Sequence, residues 1–366
     1  MLLLVTWGII GCQPAYFQHN EAVSRTDYEA IQADMQTYVE QVAKTRRLTG
    51  GMSIGVTWPN APLISASTGY ANLETQHPYT AETPILIAGI TKVFTSVMIV
   101  QLMEEGRLSF EATLDQWMPD IPHANQVTIQ MLLQHTAGFK EYLQHPNLHV
   151  NQTYAPTALV QLACELGFHD VNTAYYSTTN HIILGVILEQ ITGLSWVDAL
   201  HARILVPLNL TQTFYAGEPG ILDTVLVPNY THDGTDANVA GTLHPSIGWA
   251  SGGIVSTIPD LLTFYDALLH GVTLVSEDMR ERLLTSFVKA EPDTTINAYA
   301  SLGICVNQFA VNGMTLIGHY GAFGYHSHLV YDPESGILYA DTSNSQAQSA
   351  EFDDVTRILR YLRQLP

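Results

Sequence analysis

The chain has 366 residues, enough for two or three domains or subdomains around a sizeable core. Apolar residues make up 46% and charged residues only 13%, which excludes a disordered chain, since disorder needs low hydrophobicity and high charge. Fourteen basic residues against 34 acidic give a net charge of −20, so the cationic surplus that nucleic acid or unassisted docking on anionic lipid requires is missing.

Residues Leu2 to Gly11 are almost wholly apolar, and Cys12 follows directly. Such a run is too short for a bilayer core of about 30 Å, which takes roughly 20 helical residues, and it fits the apolar part of an export signal. Ile9-Ile10-Gly11-Cys12 resembles the lipobox of bacterial lipoproteins, in which the cysteine is lipidated and becomes the mature N-terminus. The resemblance implies a signal segment over 1–12, a polar tether over 13–27, and a periplasmic lipoprotein anchored to a membrane through Cys12. Gln13 stands where inner-membrane retention goes with aspartate, which leans towards the outer membrane if the organism has one and leaves the choice of membrane open. The alternative is an apolar N-terminal element with a chance cysteine, because no Lys or Arg precedes the run. Cys164 and Cys305 form no CxxC signature; buried free thiols are expected, with a disulfide open to them in an oxidising compartment.

Tyr28 to Val42 carries Ile31, Met35, Tyr38 and Val42 at helical spacing. Gly51 to Trp58 and Leu63 to Gly69 read as strands around the turn Pro59-Asn60-Ala61-Pro62. Thr91 to Glu105 reads as an amphipathic helix stopped by Gly106, with Val93, Phe94, Val97, Met98, Gln101 and Leu102 in phase. Helices are expected over 127–135, 156–166, 181–191, 196–204 and 260–269. Strands are expected over 316–318, 327–331 and 336–341, and a last helix over 352–362. Strands at both chain ends around a helical middle imply one sheet built from the termini and a second, helical lobe.

Four segments carry a further reading: Gly89-Ile90-Thr91-Lys92; Leu132-Leu133-Gln134-His135-Thr136-Ala137-Gly138; Tyr176-Ser177-Thr178; and His319-Tyr320-Gly321-Ala322. In this order and spacing they resemble the serine β-lactamase and penicillin-binding protein superfamily, nearest to class C β-lactamases, D-alanyl-D-alanine carboxypeptidases and related esterases. The resemblance runs from about Glu29 to Leu362. It implies an α+β fold, a domain over 28–366 with a sheet lobe of about 28–88 and 290–366 and a helical lobe of about 89–289, and a site in the groove between them.

In that superfamily an SxxK serine at a helix start attacks a carbonyl, with lysine one turn on, in reach of its proton. Lys92 is the lysine; the serine position is Gly89, which has no oxygen to acylate. Ile90 and Thr91 project from other faces, and Ser96 lies two turns in. Ser286-Phe287-Val288-Lys289 is a second SxxK, out of family order. Tyr176 keeps the tyrosine of Tyr-x-Asn, whereas Thr178 replaces the asparagine that would bind a substrate amide; Asn180 could serve only with a shifted turn. His319 would place a donor, sometimes positive, near a substrate carboxylate, and Gly321 lets a ligand backbone approach the strand. By resemblance the oxyanion hole is formed by the backbone N–H groups of Gly89 and Ala322. His135 orders a loop in this reading. His326 and His328 share a strand face, but the sequence supplies no third or fourth ligand, so neither a metal nor another cofactor is expected.

Three functions follow from these expectations. The first is a degenerate member that binds a peptidoglycan-type peptide, or a related amide or ester, without forming an acyl-enzyme. The second is an active β-lactamase, carboxypeptidase or esterase using Lys92, Tyr176 and His319 with water or another nucleophile. The third is a lipid-tethered envelope interaction protein using the fold as a scaffold.

Overall fold

The computed structural model describes residues 25–59, 61–231, 244–290, 299–345 and 352–364. Cys12, the export signal, most of the tether and Asn60 lie outside them. Helix α1, Arg25–Arg46, opens the described chain, so the last residues assigned to the tether are already helical. Its face Ile31, Met35, Val39 and Val42 is buried, as a four-residue apolar spacing requires. Strands β1 (Gly51–Thr57), β2 (Ile64–Asn72), β3 (His77–Pro78) and β4 (Ile85–Leu86) follow, then a 3₁₀ turn, Ala88–Ile90, that runs straight into α2, Thr91–Glu104.

Helix α2 departs from the amphipathic reading. Residues 91–100 and Leu102 are all buried, Lys92, Thr95 and Ser96 included. These polar groups are satisfied inside the protein: Thr95 Oγ1 donates to the Ala250 carbonyl at 2.6 Å, and Ser96 Oγ meets His181 Nε2 at 2.9 Å. A helix enclosed on every side needs such internal partners.

The helical part continues with α3 (Ile129–Leu133), α4 (Pro156–Glu165), α5 (Thr179–Thr192) and α6 (Trp196–Leu200), which passes into a π turn at His201–Leu205. Thr128 starts α3, its hydroxyl accepting the Met131 N–H at 3.2 Å, and Gly193 ends α5 at φ +72°, a left-handed conformation that favours glycine. Strand β5 (Phe214–Tyr215), the short α7 (Trp249–Gly252) and β6 (Ile254–Ser256) come next; β4, β6 and β5 make a small three-stranded sheet. Helices α8 (Ile258–Leu269) and α9 (Glu277–Thr285) lead back to the main sheet through β7 (Phe287–Lys289), β8 (Ser301–Gly303) and β9 (Asn307–Val311). The long strands β10 (Met314–Ala322), β11 (His326–Asp332) and β12 (Ile337–Ser343) and helix α10 (Phe352–Leu362) complete the chain.

Among the described residues the main sheet has nine antiparallel strands in the order β3-β2-β1-β12-β11-β10-β9-β8-β7, so strands from early and late in the chain meet where β1 pairs with β12, Met52 opposite Ser343. Two cores result. The larger runs from the helical part through α8 onto Leu329, Tyr331, Leu338 and Ala340 of the sheet's front face. The smaller lies between the back face, with Val330, Phe309 and Tyr339, and the helices α1 and α10. Cys164 and Cys305 are free thiols. Among the described residues no single helix is long and apolar enough to cross a membrane.

Candidate active site

Position 89 sits in the 3₁₀ turn that opens α2. The turn is held to β6 by Ile87 N–H donating to the Ile254 carbonyl at 2.9 Å, and it lies against β10. Ala88, just before it, adopts φ +43°, a conformation that alanine seldom takes and that often marks a functional turn. A β-carbon on Gly89 would stand 2.6 Å from the Tyr320 carbonyl oxygen and 3.0 Å from His319 Cε1. Strand β10 and the His319 ring have therefore closed over the place a side chain would occupy.

Lys92, one turn on, is 4% exposed and points under this turn. Its Nζ donates to the Ser251 carbonyl at 2.8 Å and lies 5.1 Å from the centre of the Tyr176 ring. Burial lowers its pKa to about 8, against a smaller opposing pull from Glu141.

Tyr176 precedes α5. Its ring stacks on His135 at 4.6 Å and on Tyr299 at 5.3 Å. Burial raises its pKa well above 10, so the phenol keeps its proton at neutral pH. His135 does order this turn: its Nδ1 accepts the Ser177 N–H at 3.1 Å and the Asn180 amide at 3.0 Å. Burial, with the charge of Lys92, brings the His135 pKa down to about 3. Asn180, 1% exposed and bonded to His135, does not take over the missing asparagine's place. Thr178 is buried, and its N–H donates to Glu141 Oε2 at 2.8 Å.

His319 is 2% exposed. Its Nδ1 lies 2.7 Å from the Tyr320 carbonyl, which can only accept, so Nδ1 carries the proton and Nε2 accepts from the Tyr299 hydroxyl at 3.3 Å. Burial, and the charge of Lys92 next, hold the ring well below its ordinary pKa. The occasionally positive donor expected of His319 is thus a neutral imidazole. A β-carbon on Gly321 would fall 2.0 Å from the Ile87 carbonyl, which explains the glycine by close approach of β10 to the 3₁₀ turn. Ala322 is exposed at the end of β10.

The hydroxyls of Thr91, Ser96 and Ser286 do not replace the missing nucleophile. Thr91 Oγ1 accepts the Ile254 N–H at 3.1 Å, and Ser96 is bound to His181 in the core. Ser286 caps α9 and Phe287–Lys289 is a strand, so the second SxxK forms no helical turn. Lys92, Tyr176, His319 and Gly89 lie together around the turn that opens α2. Glu141, Tyr299 and the Ser251 carbonyl complete the site unannounced. Among the described residues the groove holds no trio of metal-ligating side chains.

The Beta-lactamase family matches residues 31–362. The chain belongs to this family. Among the relatives of this beta-lactamase family chain, Penicillin-binding protein 4 of Amycolatopsis lactamdurans is 25% identical over 332 residues, 86% of either protein. Penicillin-binding protein 4* of Bacillus subtilis (strain 168) is 30% identical over 159 residues, 41% of this chain and only 35% of the Bacillus protein. Among solved structures, D-amino acid amidase from Ochrobactrum anthropi SV3 complexed with D-phenylalanine superposes with a TM-score of 0.82 at 21% identity, covering 92% of this chain and all of that one. The α+β fold with a large antiparallel sheet is thus the family's fold.

Proposed function

We propose that this beta-lactamase family protein binds an acyl-D-amino acid, a peptidoglycan-type peptide or a related amide or ester in the groove beside Gly89 and forms no acyl-enzyme with it. The observation that carries the reading is the closed turn at Gly89: no oxygen is present, and the Tyr320 carbonyl and His319 ring fill the space one would need. The names of the relatives, penicillin-binding proteins and a D-amino acid amidase, support the ligand class. In a serine protease, loss of the nucleophile costs on the order of 10⁶ in rate and leaves roughly 10³ over water from the oxyanion hole and binding.

The test is incubation of the full chain with benzylpenicillin followed by intact-mass spectrometry, beside calorimetric titration with a D-Ala-D-Ala peptide and a D-amino acid amide. Saturable binding of either ligand with an unchanged protein mass is expected. A covalent adduct, or no binding at all, overturns the proposal. A hydrolase acting through water is the second reading, favoured by Lys92, whose amine titrates at about 8 beside Tyr176. It requires turnover by the unaltered chain that Lys92→Ala abolishes. Membrane attachment through Cys12 is part of the same proposal. Cys12→Ala is expected to move the protein from the membrane to the soluble fraction, and an unchanged membrane fraction refutes the anchor.

A further inference from the structure

Strand β11 alternates its side chains between two environments. Ser327 faces the front, its hydroxyl donating to the Ile87 carbonyl beside Gly89 at 3.3 Å. His326 and His328 therefore face the back, toward α10, where the Phe352 ring meets His328 edge-on at 4.7 Å. Strand pairing sets Asp341 of β12 directly opposite His328. It thus brings up, 13 residues along the chain, a third group for the histidine pair.

We propose that His326, His328 and Asp341 form a site for one divalent transition-metal ion of the zinc class, on the face of the sheet away from Gly89. One ligand atom from each residue lies within 4.8 Å of the others. His328 Nδ1 and Asp341 Oδ2 are already 3.0 Å apart, close to the ~3.3 Å between ligand atoms of a tetrahedral ion with bonds of about 2.0–2.1 Å. His326 Nδ1 is enclosed and has no hydrogen-bond partner among the described residues, so no contact within the fold claims it. Asp341 is oriented from behind by the Tyr339 hydroxyl, which donates to Oδ2 at 2.8 Å, as carboxylates that hold metals commonly are. Two imidazoles and one carboxylate suit zinc, nickel or copper and are a poor match for magnesium or calcium, which take oxygen ligands. His328 and Asp341 are each 2% exposed, whereas His326, at the first residue of the strand, is only partly buried and offers the way in. Binding at Nδ1 takes the place of the hydrogen bond between His328 and Asp341: the ring changes tautomer, its proton leaving Nδ1 while Nε2 takes one up, so the imidazole stays neutral as the two metal bonds form.

The test uses the full chain, stripped with EDTA and titrated calorimetrically with zinc sulfate. One equivalent is expected, with a melting temperature that climbs with zinc concentration and no response to magnesium. Cobalt(II) in place of zinc is expected to give a visible absorption band. His326→Ala, at a residue whose Nδ1 holds nothing in the fold, is expected to weaken zinc at least about tenfold and remove the cobalt band; Asp341→Asn is expected to do the same. Absence of saturable one-to-one uptake overturns the site, as does undiminished affinity in His326→Ala. Either result would mean that His328 and Asp341 are only a hydrogen-bonded pair.

Discussion

At the scale of single residues the site is tuned by burial as much as by residue type. Restoring the missing hydroxyl is not a simple reversal: in Gly89→Ser the β-carbon meets a backbone carbonyl, so the turn and β10 must part. The variant is expected to lose about 1–3 kcal/mol of stability, the usual cost of overpacking, read as a lower urea midpoint. A midpoint equal to the parent's would show that the turn has not closed on position 89. Lys92 supplies a second case. The folded protein holds its proton up to about 8 and the unfolded chain up to 10.5, so below 8 both are charged and the penalty of burying the charge is fully present. Between those values the unfolded chain binds more protons, and stability rises with pH. Lys92→Met is expected to stabilise the protein by about 1–3 kcal/mol at pH 7 and to flatten the rise between pH 8 and 10.5; a loss of stability at pH 7 would show that the bond to Ser251 outweighs the buried charge. Gly89, Lys92, Tyr176 and His319 were legible because motif order and spacing carry them. Tyr299 and Glu141 were not: each is a lone residue far along the chain from its partners, with no local pattern to distinguish it.

At the scale of elements, the joint that shapes the groove is the contact of β10 with the 3₁₀ turn Ala88–Ile90. Gly321 allows it, since a β-carbon there would sit 2.0 Å from the Ile87 carbonyl. Gly321→Ala is expected to cost about 1–3 kcal/mol and to abolish ligand binding, whereas Gly313→Ala on the exposed β9–β10 turn, where φ is +76° but nothing crowds a β-carbon, is expected to keep binding. Urea unfolding and the same calorimetric titration measure both; equal binding loss in the two variants would point to general destabilisation. The long apolar segments α2 and α5 and the amphipathic α10 were legible from spacing. The strand expected at 316–318 extends to Ala322, because His319, Tyr320 and Gly321 break the apolar run while their backbone continues the ladder to β11. Helix α9 was missed because five of its nine residues are charged and only Leu283 is buried. Strands β7 to β9 are three to five residues long, too short to show alternation.

At the scale of the whole molecule, pairing of β1 with β12 closes the sheet from the two chain ends, and the salt bridge of Arg46 in α1 to Asp354 in α10, at 2.8 Å, ties the same two ends across the back. That closure was legible as strands at both termini. That the sheet itself separates the two cores was not, because α8 carries the helical core onto the sheet's front face while α1 and α10 cover its back. One consequence of this enclosure is sensitivity to acid. His135, His181 and His319 are each 2% exposed, and burial is the largest cause holding all three below the ordinary value of 6.5; for His135 the result is about 3. As pH falls past 6.5 the unfolded chain takes up protons that the folded one refuses, so the stability present above 6.5 is progressively lost. Each histidine contributes a slope of about 1.4 kcal/mol per pH unit, and the three together up to about 4. The urea midpoint of the metal-free protein is therefore expected to drop steeply between pH 6.5 and 5, above the range in which ordinary carboxylates titrate. Replacing His181, whose Nδ1 has no partner among the described residues, by Gln removes one titrating ring and is expected to shallow the fall by up to about 1.4 kcal/mol per pH unit. A midpoint that stays level from pH 7 to 5 would mean that these rings charge without unfolding, and that the wall of the groove admits protons freely.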